Sequence, residues 1–155
     1  MMKRYIGTKI IEAVPAVRLG GTAGEIYEEG QPIPRSMGLR EQGYKVRYPD
    51  GHVSWSPKAV FEEAYRPTED MSFGLAIEAA KKGMRIARRG WNGKGQYVEL
   101  ATGISYTTAD GTVVNTEHQA IGNRALAFVG TSGVQMGWLA SQADMLADDW
   151  EIVEE

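Results

Sequence analysis

Turn-forming residues divide this sequence into short segments, which restricts it to short strands and short helices. In the first half, apolar residues at 10, 11, 14 and 17 predict a first short strand. Glycines at 20 and 21 and prolines at 32 and 34 then interrupt the chain, and proline is excluded from central strands. Residues 44–48 alternate in polarity with period two, and a turn signature, Pro49-Asp50-Gly51-His52, leads into Val53-Ser54-Trp55. We therefore predict a β-hairpin over residues 44–55.

A short helix is predicted to follow this hairpin. Ser56 is a candidate N-cap, Pro57 suits the first helical position, and apolar residues at 60, 61 and 64 recur at helical spacing. Because Pro67 disfavours helical geometry at the residue before it, the helix should end near Tyr65. We place a boundary at Pro67 to Asp70, which divides the chain into a small β-rich module, residues 1–70, and a second domain, residues 71–155.

The second half has the pattern of helices and antiparallel strands. Ser72 is a candidate N-cap for a helix that should stop at Gly83, and Ser141 with Asp144 forms a capping-box pattern for a second, shorter helix. Alternating or apolar segments predict strands at residues 84–89, 96–101, 105–114 (a hairpin around Asp110-Gly111), 124–129 and 150–153. The predicted class is α+β with an antiparallel sheet.

Composition narrows the cellular setting and the classes of partner. The sequence contains no cysteine, which excludes disulfides and thiolate metal sites and suits a reducing compartment. No apolar run approaches the roughly 18 residues of a membrane span, and residues 1–5 are not followed by a signal-peptide apolar region. A net charge of -3 argues against a DNA or RNA polymer as partner, because phosphate backbones are bound mainly by clustered Lys and Arg. We expect a cytoplasmic protein.

Charge is unevenly distributed within the second domain. Six basic residues and no acid lie between Lys81 and Lys94, whereas six acids and no base lie between Asp144 and Glu155. The basic cluster either attracts a small anion or faces the acidic cluster and solvent. Charge alone leaves both interpretations open.

The loop Gly90-Trp91-Asn92-Gly93-Lys94-Gly95 is the most unusual motif. Three glycines in six residues let backbone amides approach a ligand closely, yet the loop lacks the Ser or Thr of a P-loop and joins two strands, unlike a dinucleotide fingerprint. Trp91 offers a ring that can stack on a base, and Asn92 offers an amide for a base edge or a ribose. Cations that can pair with phosphates come from Arg88, Arg89 and Lys94. The alternative is a tight connection in which Trp91 anchors the core.

The helix after Ser141 is a second candidate ligand contact. Helix N-termini offer backbone amides to phosphates, but Ser141 and Asp144 can satisfy those amides by capping each other. Trp138 and Trp150 flank this helix and are predicted core residues. The pair Asp148-Asp149 is predicted as solvated surface, because adjacent side chains point in different directions.

No motif for catalysis or metal binding is recognised in the sequence. It lacks His-Glu-x-x-His and Gly-x-Ser-x-Gly, and no nucleophile is paired with a base. His52 and His118 lie far apart, with no metal-ligand spacing around either. These observations favour a binding protein over an enzyme, with no catalytic residue, metal or cofactor predicted.

Three segments of the second domain resemble, in the right order, the Thoeris anti-defence family of phage proteins, whose members act as signal sponges. They are residues 71–83 (MSFGLAIEAAKKG), 88–95 (RRGWNGKG) and 138–150 (WLASQADMLADDW). The resemblance implies capture, without turnover, of glycocyclic ADP-ribose signals made by bacterial TIR-domain enzymes, in the cytoplasm of the infected host. It also implies a homotetramer with pockets at subunit interfaces, and some family members hold cyclic dinucleotides at separate sites.

Carried onto this sequence, the resemblance implies a ligand site built from the second and third segments. Its candidate residues are Arg88, Arg89, Trp91, Asn92, Gly93 and Lys94, together with Ser141, Gln142 and Asp144. Two other functions remain open: a cyclic-nucleotide hydrolase, and a structural or interaction module of a phage particle in which residues 1–70 form the contact domain.

Overall fold

The structure is a computed structural model that describes residues 1–20, 24–35, 38–91 and 95–154. The chain divides into two compact units, Met1–Arg66 and Pro67–Glu155, called here the first and the second unit. Antiparallel sheets with a few short helices make up the described residues, which confirms the predicted α+β class. Within these ranges no helix has the length and apolar character needed to cross a membrane.

The first unit contains a four-stranded antiparallel sheet in the order β2-β1-β3-β4, followed by helix α1. The elements are β1 Glu12–Leu19, β2 Ile26–Glu28, β3 Arg40–Arg47, β4 Val53–Pro57 and α1 Lys58–Ala64. Strands β3 and β4 form the predicted hairpin, and the Gly51 amide donates to the Tyr48 carbonyl in its turn at 2.9 Å. Gly51 has a φ of 88°, a conformation that favours glycine.

Helix α1 begins one residue later than the sequence predicts. Ser56 is paired with Tyr44 inside the sheet, so it is not the N-cap, and Pro57 holds that position without a side-chain capping bond. The reason is that the hairpin pairing continues through Pro57 and takes precedence over the local capping preference. The end of the helix is as predicted, with Tyr65 as the C-cap.

The two faces of the first sheet differ in chemistry. On one face the Arg18 guanidinium lies 5.3 Å from the centroid of the Trp55 ring. A Cβ at Gly43 would lie 2.6 Å from the Trp55 Cζ2 atom and would also collide with the Ser56 carbonyl oxygen, so this position requires glycine. Tyr44 is next in the strand, so its side chain points to the opposite face.

The second unit contains a five-stranded antiparallel sheet in the order β10-β9-β6-β5-β11 and a separate two-stranded hairpin. The strands are β5 Arg85–Arg88, β6 Tyr97–Thr102, β7 Tyr106–Thr107, β8 Val113–Val114, β9 Arg124–Gly130, β10 Gly133–Met136 and β11 Trp150–Val153, and the helices are α2 Phe73–Lys81 and α3 Gln142–Leu146. The hairpin around Asp110-Gly111 is β7 and β8, as predicted. The short strands β2 and β10 are additions to the predicted set.

Helix α2 covers the core of the second unit. Its N-cap is Ser72, whose hydroxyl oxygen accepts from the Leu75 amide at 3.3 Å, and Gly83 follows the helix with a φ of 92°, so both predicted ends are confirmed. The helix buries three alanines, Ala76, Ala79 and Ala80. Small side chains let the helix lie close to the larger buried residues Ile86, Val98 and Trp150.

Strand β11 closes the second unit against the residues that begin it. It pairs with β5, and the Met71 amide donates to the Trp150 carbonyl at 2.8 Å while the Trp150 amide donates to the Met71 carbonyl at 3.1 Å. The Ile152 amide donates to the Thr68 carbonyl at 3.0 Å. Residues near the start of this unit are therefore hydrogen-bonded to residues near its end.

Candidate functional site

The glycine loop leaves strand β5 at the point where that strand pairs with β11. Arg88, the last residue of β5, is the register partner of Trp150, and the Trp91 amide donates to the Arg88 carbonyl at 3.2 Å. The predicted ligand residues Asn92, Gly93 and Lys94 lie outside the described residues. The geometry of the site is therefore that of its two sides, Arg88 to Trp91 and Ser141 to Trp150.

Trp91 is half-buried and packs among aromatic rings. Its ring centroid lies 5.4 Å from Trp150, 5.6 Å from Phe128 and 5.9 Å from Trp138, with tilted or edge-to-face geometry. Such arrangements are favourable for aromatic pairs. Trp91 thus anchors the loop to the core, which is the alternative that the sequence left open, and only part of its surface remains for another contact.

The two other tryptophans of this cluster follow the sequence prediction to different degrees. Trp150 is fully buried, and its Nε1 atom donates to the Asp144 carbonyl oxygen at 2.8 Å, which confirms a core role and ties β11 to α3. Trp138 is half-buried and packs at the margin of the core. Phe128, which the sequence analysis did not single out, completes the aromatic surroundings of Trp91.

Arg88 joins the two sequence segments of the candidate site. Its Nε atom donates to Asp149 Oδ1 at 2.9 Å and its Nη1 atom donates to Asp144 Oδ1 at 3.0 Å. These hydrogen bonds, to Asp149 and then to Asp144, raise the pKa of the Arg88 guanidinium, so it remains charged. At Arg88, the basic and acidic clusters face each other.

Asp149 is a site neighbour that the sequence analysis assigned wrongly. It was predicted as solvated surface with Asp148, but its side chain is only 32% exposed and it accepts the hydrogen bond from Arg88. The neighbouring Asp148 is exposed. No local pattern predicts this difference, because it depends on the pairing of β5 with β11, two strands that lie about 60 residues apart.

Asp144 and Ser141 form the predicted capping box at the start of α3. The Asp144 amide donates to Ser141 Oγ at 3.1 Å, and the Ser141 amide and hydroxyl donate to Asp144 Oδ2 at 3.0 and 2.8 Å. Burial disfavours the charged carboxylate, but these bonds and the one from Arg88 outweigh that effect and hold the pKa of Asp144 below its ordinary value. Ser141 and Asp144 are thus engaged with each other, the alternative considered from sequence.

The remaining predicted residues lie on either side of this network. Gln142 is the exposed first residue of α3. Arg89 is 53% exposed and pairs with the Asp70 carboxylate and the Glu69 carbonyl oxygen, while its amide donates to the Asp149 carbonyl at 3.0 Å. Arg88 and Arg89 therefore contact different carboxylates, and Arg89 has the more accessible side chain.

The described residues contain no cluster of metal-ligating side chains. Within residues 1–20, 24–35, 38–91 and 95–154, no group of three or more His, Asp or Glu side chains is placed to hold a metal ion. The Arg88 guanidinium is occupied by two carboxylates, so the network of Arg88, Asp144 and Asp149 carries one net negative charge. Of the other candidate residues that the structure describes, Arg89 and Gln142 have exposed side chains and Trp91 is half-buried.

Two comparisons place this architecture among known proteins. A family model described as the Thoeris anti-defense 2-like domain matches residues 71–153. Thoeris anti-defense 2 of Bacillus phage SP01 is 38% identical over 88 residues, which make up 54% of this chain and 94% of the phage protein. The family model falls on the unit that carries the Arg88 network, and the two matches confirm the resemblance stated from sequence. The chain belongs to the Thoeris anti-defense 2 family.

Proposed function

We propose that the second unit binds glycocyclic ADP-ribose signals made by TIR-domain enzymes and holds them without turnover, so that Thoeris defence is not activated. Membership of the family supports an anti-Thoeris role. The observation that carries the proposal is the Arg88 network: this side chain, at the end of β5 just before the glycine loop, donates to Asp149 at 2.9 Å and to Asp144 of α3 at 3.0 Å, which supports one site bordered by both segments. Cyclic dinucleotides are proposed as further ligands at separate sites.

Within this site we assign different tasks to residues that the sequence treated alike. Arg88 positions α3 beside the loop, because a phosphate would have to displace two carboxylates to reach its guanidinium. Lys94 and the exposed Arg89 are proposed to contact phosphates, and Asn92 and Gly93 to provide polar contacts. Trp91 is proposed to stack on the base with the part of its ring that the core leaves free.

Polar contacts from α3 complete this proposal. Gln142 is exposed at the first helical position, where its amide can reach a ribose or a base edge. Ser141 and Asp144 hold that position through the capping box, with the Ser141 hydroxyl and the Asp144 amide 3.1 Å apart. We therefore propose that they act by orienting Gln142.

Physical chemistry favours holding the ligand over hydrolysing it. Ser141 donates its hydroxyl proton to Asp144, which resembles the first two members of a hydrolytic site. A general base works best when its pKa is near the working pH, whereas the pKa of Asp144 is lowered and both its carboxylate oxygens already accept hydrogen bonds. This pair is therefore suited to capping a helix and poorly suited to activating a nucleophile.

We propose that a second subunit completes the pocket in a homotetramer. A domain of this size buries little surface around a ligand with two phosphates and two riboses. Large apolar side chains remain exposed in the second unit, among them Val134 (64%), Leu139 (89%) and Leu146 (77%), and such residues suit contacts between subunits. Light scattering that shows a monomer binding at full stoichiometry would contradict this part of the proposal.

The decisive experiment recovers the ligand after binding. The protein is incubated with glycocyclic ADP-ribose, freed of unbound ligand by filtration and denatured, and the released material is identified by mass spectrometry. Intact signal supports sequestration, a linear product indicates a hydrolase, and absence of retained nucleotide favours the structural module.

A charge-matched pair of variants tests the loop directly. Lys94→Ala removes the proposed phosphate contact, and a charge-assisted hydrogen bond of about 1.5–3 kcal/mol corresponds to roughly a tenfold to hundredfold loss of affinity. Lys82→Ala removes the same charge from the exposed end of helix α2 and should leave affinity unchanged. Equal losses in both variants would show that only the overall charge matters and that Lys94 makes no specific contact.

A further inference from the structure

The first unit contains a cavity of about 390 Å³ that the proposed function does not use. Strands β1, β2 and β3, the turn after β2 and helix α1 form its walls. Val17 of β1 is the register partner of Tyr27 in β2 and of Gln42 in β3, and Pro15 is the partner of Tyr44. The side chains of all five residues therefore share the sheet face that borders the cavity. The volume is in the range of sites that bind small molecules or short peptide segments.

The cavity combines aromatic surface with an excess of negative charge. Three glutamates line it, but Glu28 is paired with Lys45 at 3.0 Å, which leaves the carboxylates of Glu29 and Glu62 against one ammonium group, Lys58. Tyr44 is held in place: its ring stacks on Phe61 at 4.0 Å, and its hydroxyl donates to Glu62 Oε1 at 2.9 Å. Tyrosine rings beside carboxylates favour an occupant that carries both apolar groups and a cation.

A segment of this same chain has the complementary chemistry. Residues 1–8, called here the arm, contain Lys3 and Arg4 and no acid. The arm forms neither helix nor strand, and its side chains Tyr5 and Ile6 are 89% and 95% exposed. Lys9, just beyond it, lies 5.2 Å from the centroid of the Tyr48 ring and fixes the point where the arm leaves the unit.

We propose that the cavity of one copy receives the arm of a second copy, with Tyr5 and Ile6 against the tyrosine-lined wall and Lys3 and Arg4 beside the carboxylates. The arm carries two positive charges, and the cavity lining carries a net of one negative charge from Glu29, Glu62 and Lys58, because Glu28 is paired with Lys45. Eight extended residues span at most about 28 Å, which is ample to cross between neighbouring molecules. The exposure of Tyr5 and Ile6 shows that the arm does not fill the cavity of its own chain.

This link between copies is independent of the ligand site in the second unit. The arm of one copy can enter the cavity of a second copy while that copy's arm enters either the first copy or a third one. In both cases the contact links copies without a new interface in the signal-binding region. Because the proposed tetramer is held by apolar contacts of the second unit, loss of the arm contact should leave that tetramer, and with it signal retention, unchanged. That separation allows this inference and the proposed function to fail independently.

The test uses a labelled, end-capped peptide of residues 1–11 and a variant of the full chain that lacks residues 1–8. Saturable binding of the peptide, measured by fluorescence polarisation, is expected. Glu62→Gln in the shortened chain should weaken that binding about threefold or more, because it removes a carboxylate from the cavity. The matched control is Glu63→Gln, an exposed neighbour on the same helix that does not line the cavity, and it should have no effect.

Two further measurements identify the occupant. A peptide with glutamine in place of Lys3 and Arg4 should bind at least threefold more weakly. The full chain should bind the peptide less well than the shortened chain does, and increasingly so at higher protein concentration, because arms of other copies compete for the cavity. Competition that does not depend on concentration would mean that each arm fills its own cavity, and absence of saturable binding would mean that the arm is not the occupant; either result overturns the proposal.

Discussion

The two units stabilise their sheets in different ways. The second unit packs large side chains into a dry core, where Ile86, Val98 and Trp150 are fully buried. In the described part of the first unit the buried apolar residues are Ala16, Leu19 and Val46, and helix α1 buries none of its side chains. Instead, exposed or half-buried ion pairs join its strands: Arg18 with Glu41, Lys45 with Glu28 and Arg47 with Glu12.

This difference indicates which unit withstands substitution better. Burial of a large apolar side chain contributes about 1.5–3 kcal/mol, whereas an exposed ion pair contributes about 0–1 kcal/mol and is screened by salt. We therefore expect the second unit to be the more stable one. The candidate site is built on its core, through Trp91 and Trp150, so a substitution there should change both the stability of the unit and the proposed binding.

The largest expected effect comes from Trp150→Ala. Removal of this fully buried ring should cost about 3–5 kcal/mol, and it also removes the hydrogen bond to the Asp144 carbonyl. Hydrogen exchange of the full chain, read unit by unit, should show lost protection in residues 67–155 and retained protection in strands β1 and β3. Equal loss in both units would show that they unfold together and would break the comparison.

Trp91→Ala is expected to have a smaller effect because the ring is half-buried. We expect a loss of about 2–3 kcal/mol in the free energy of unfolding of the second unit, from contacts with three aromatic rings. Trp91→Phe keeps an apolar ring, so chemical denaturation should show most of that stability restored. A ligand role then appears as weaker signal binding by the phenylalanine variant, measured by calorimetry; unchanged affinity would leave Trp91 purely structural.

Alanine substitution of two glycines, one in each unit, should change stability in opposite directions. Gly43→Ala forces a Cβ against the Trp55 ring and the Ser56 carbonyl and should destabilise the first unit by about 1–3 kcal/mol. Gly74→Ala lies in helix α2, where a new Cβ meets only Ser72 Oγ at 4.0 Å, and should stabilise the second unit by about 0.5–1 kcal/mol. Thermal unfolding followed for both variants checks the opposite signs.

The smallest predicted effect concerns pH. Because the pKa of Asp144 is lowered in the folded protein, its ionised form stabilises the second unit at pH values above about 3.9, the usual unfolded value, and this contribution is lost as pH falls through the folded value. Asp144→Asn should cost about 1 kcal/mol at neutral pH, and the difference from the unchanged chain should shrink towards pH 3. A difference that is constant with pH would assign the effect to shape alone.

Local signals in the sequence predicted much of the fold and little of the pairing. Asp50-Gly51 and Asp110-Gly111 located two hairpins, and Ser72 and Ser141 located two helix starts, because turn and capping geometry depends on a few adjacent residues. The three-residue strand β2 and the exposed strand β10 carry too few patterned residues to be recognised.

The candidate site shows the same limit. The capping box of Ser141 and Asp144 is local and was predicted, whereas the partners of Arg88 depend on two strands brought together from distant parts of the chain. Trp91 was correctly identified as an unusual residue in its loop. Its packing against Phe128 and Trp138 is a property of the folded sheet, which the local pattern does not contain.

The bonds between Met71 and Trp150 bring the start and the end of the second unit together, so that it can be joined to other sequences as one module, called here the cassette. Since the chain enters and leaves through adjacent, hydrogen-bonded residues, a flanking sequence can be added or removed at this one place without crossing the site. The 88 matched residues make up 94% of the phage protein, which is about the size of this cassette, whereas here residues 1–66 are joined to it. A circular permutant that links residue 153 to residue 67 and opens the chain in the exposed turn at Gly111 should accordingly keep the cassette folded, a result that circular dichroism can check.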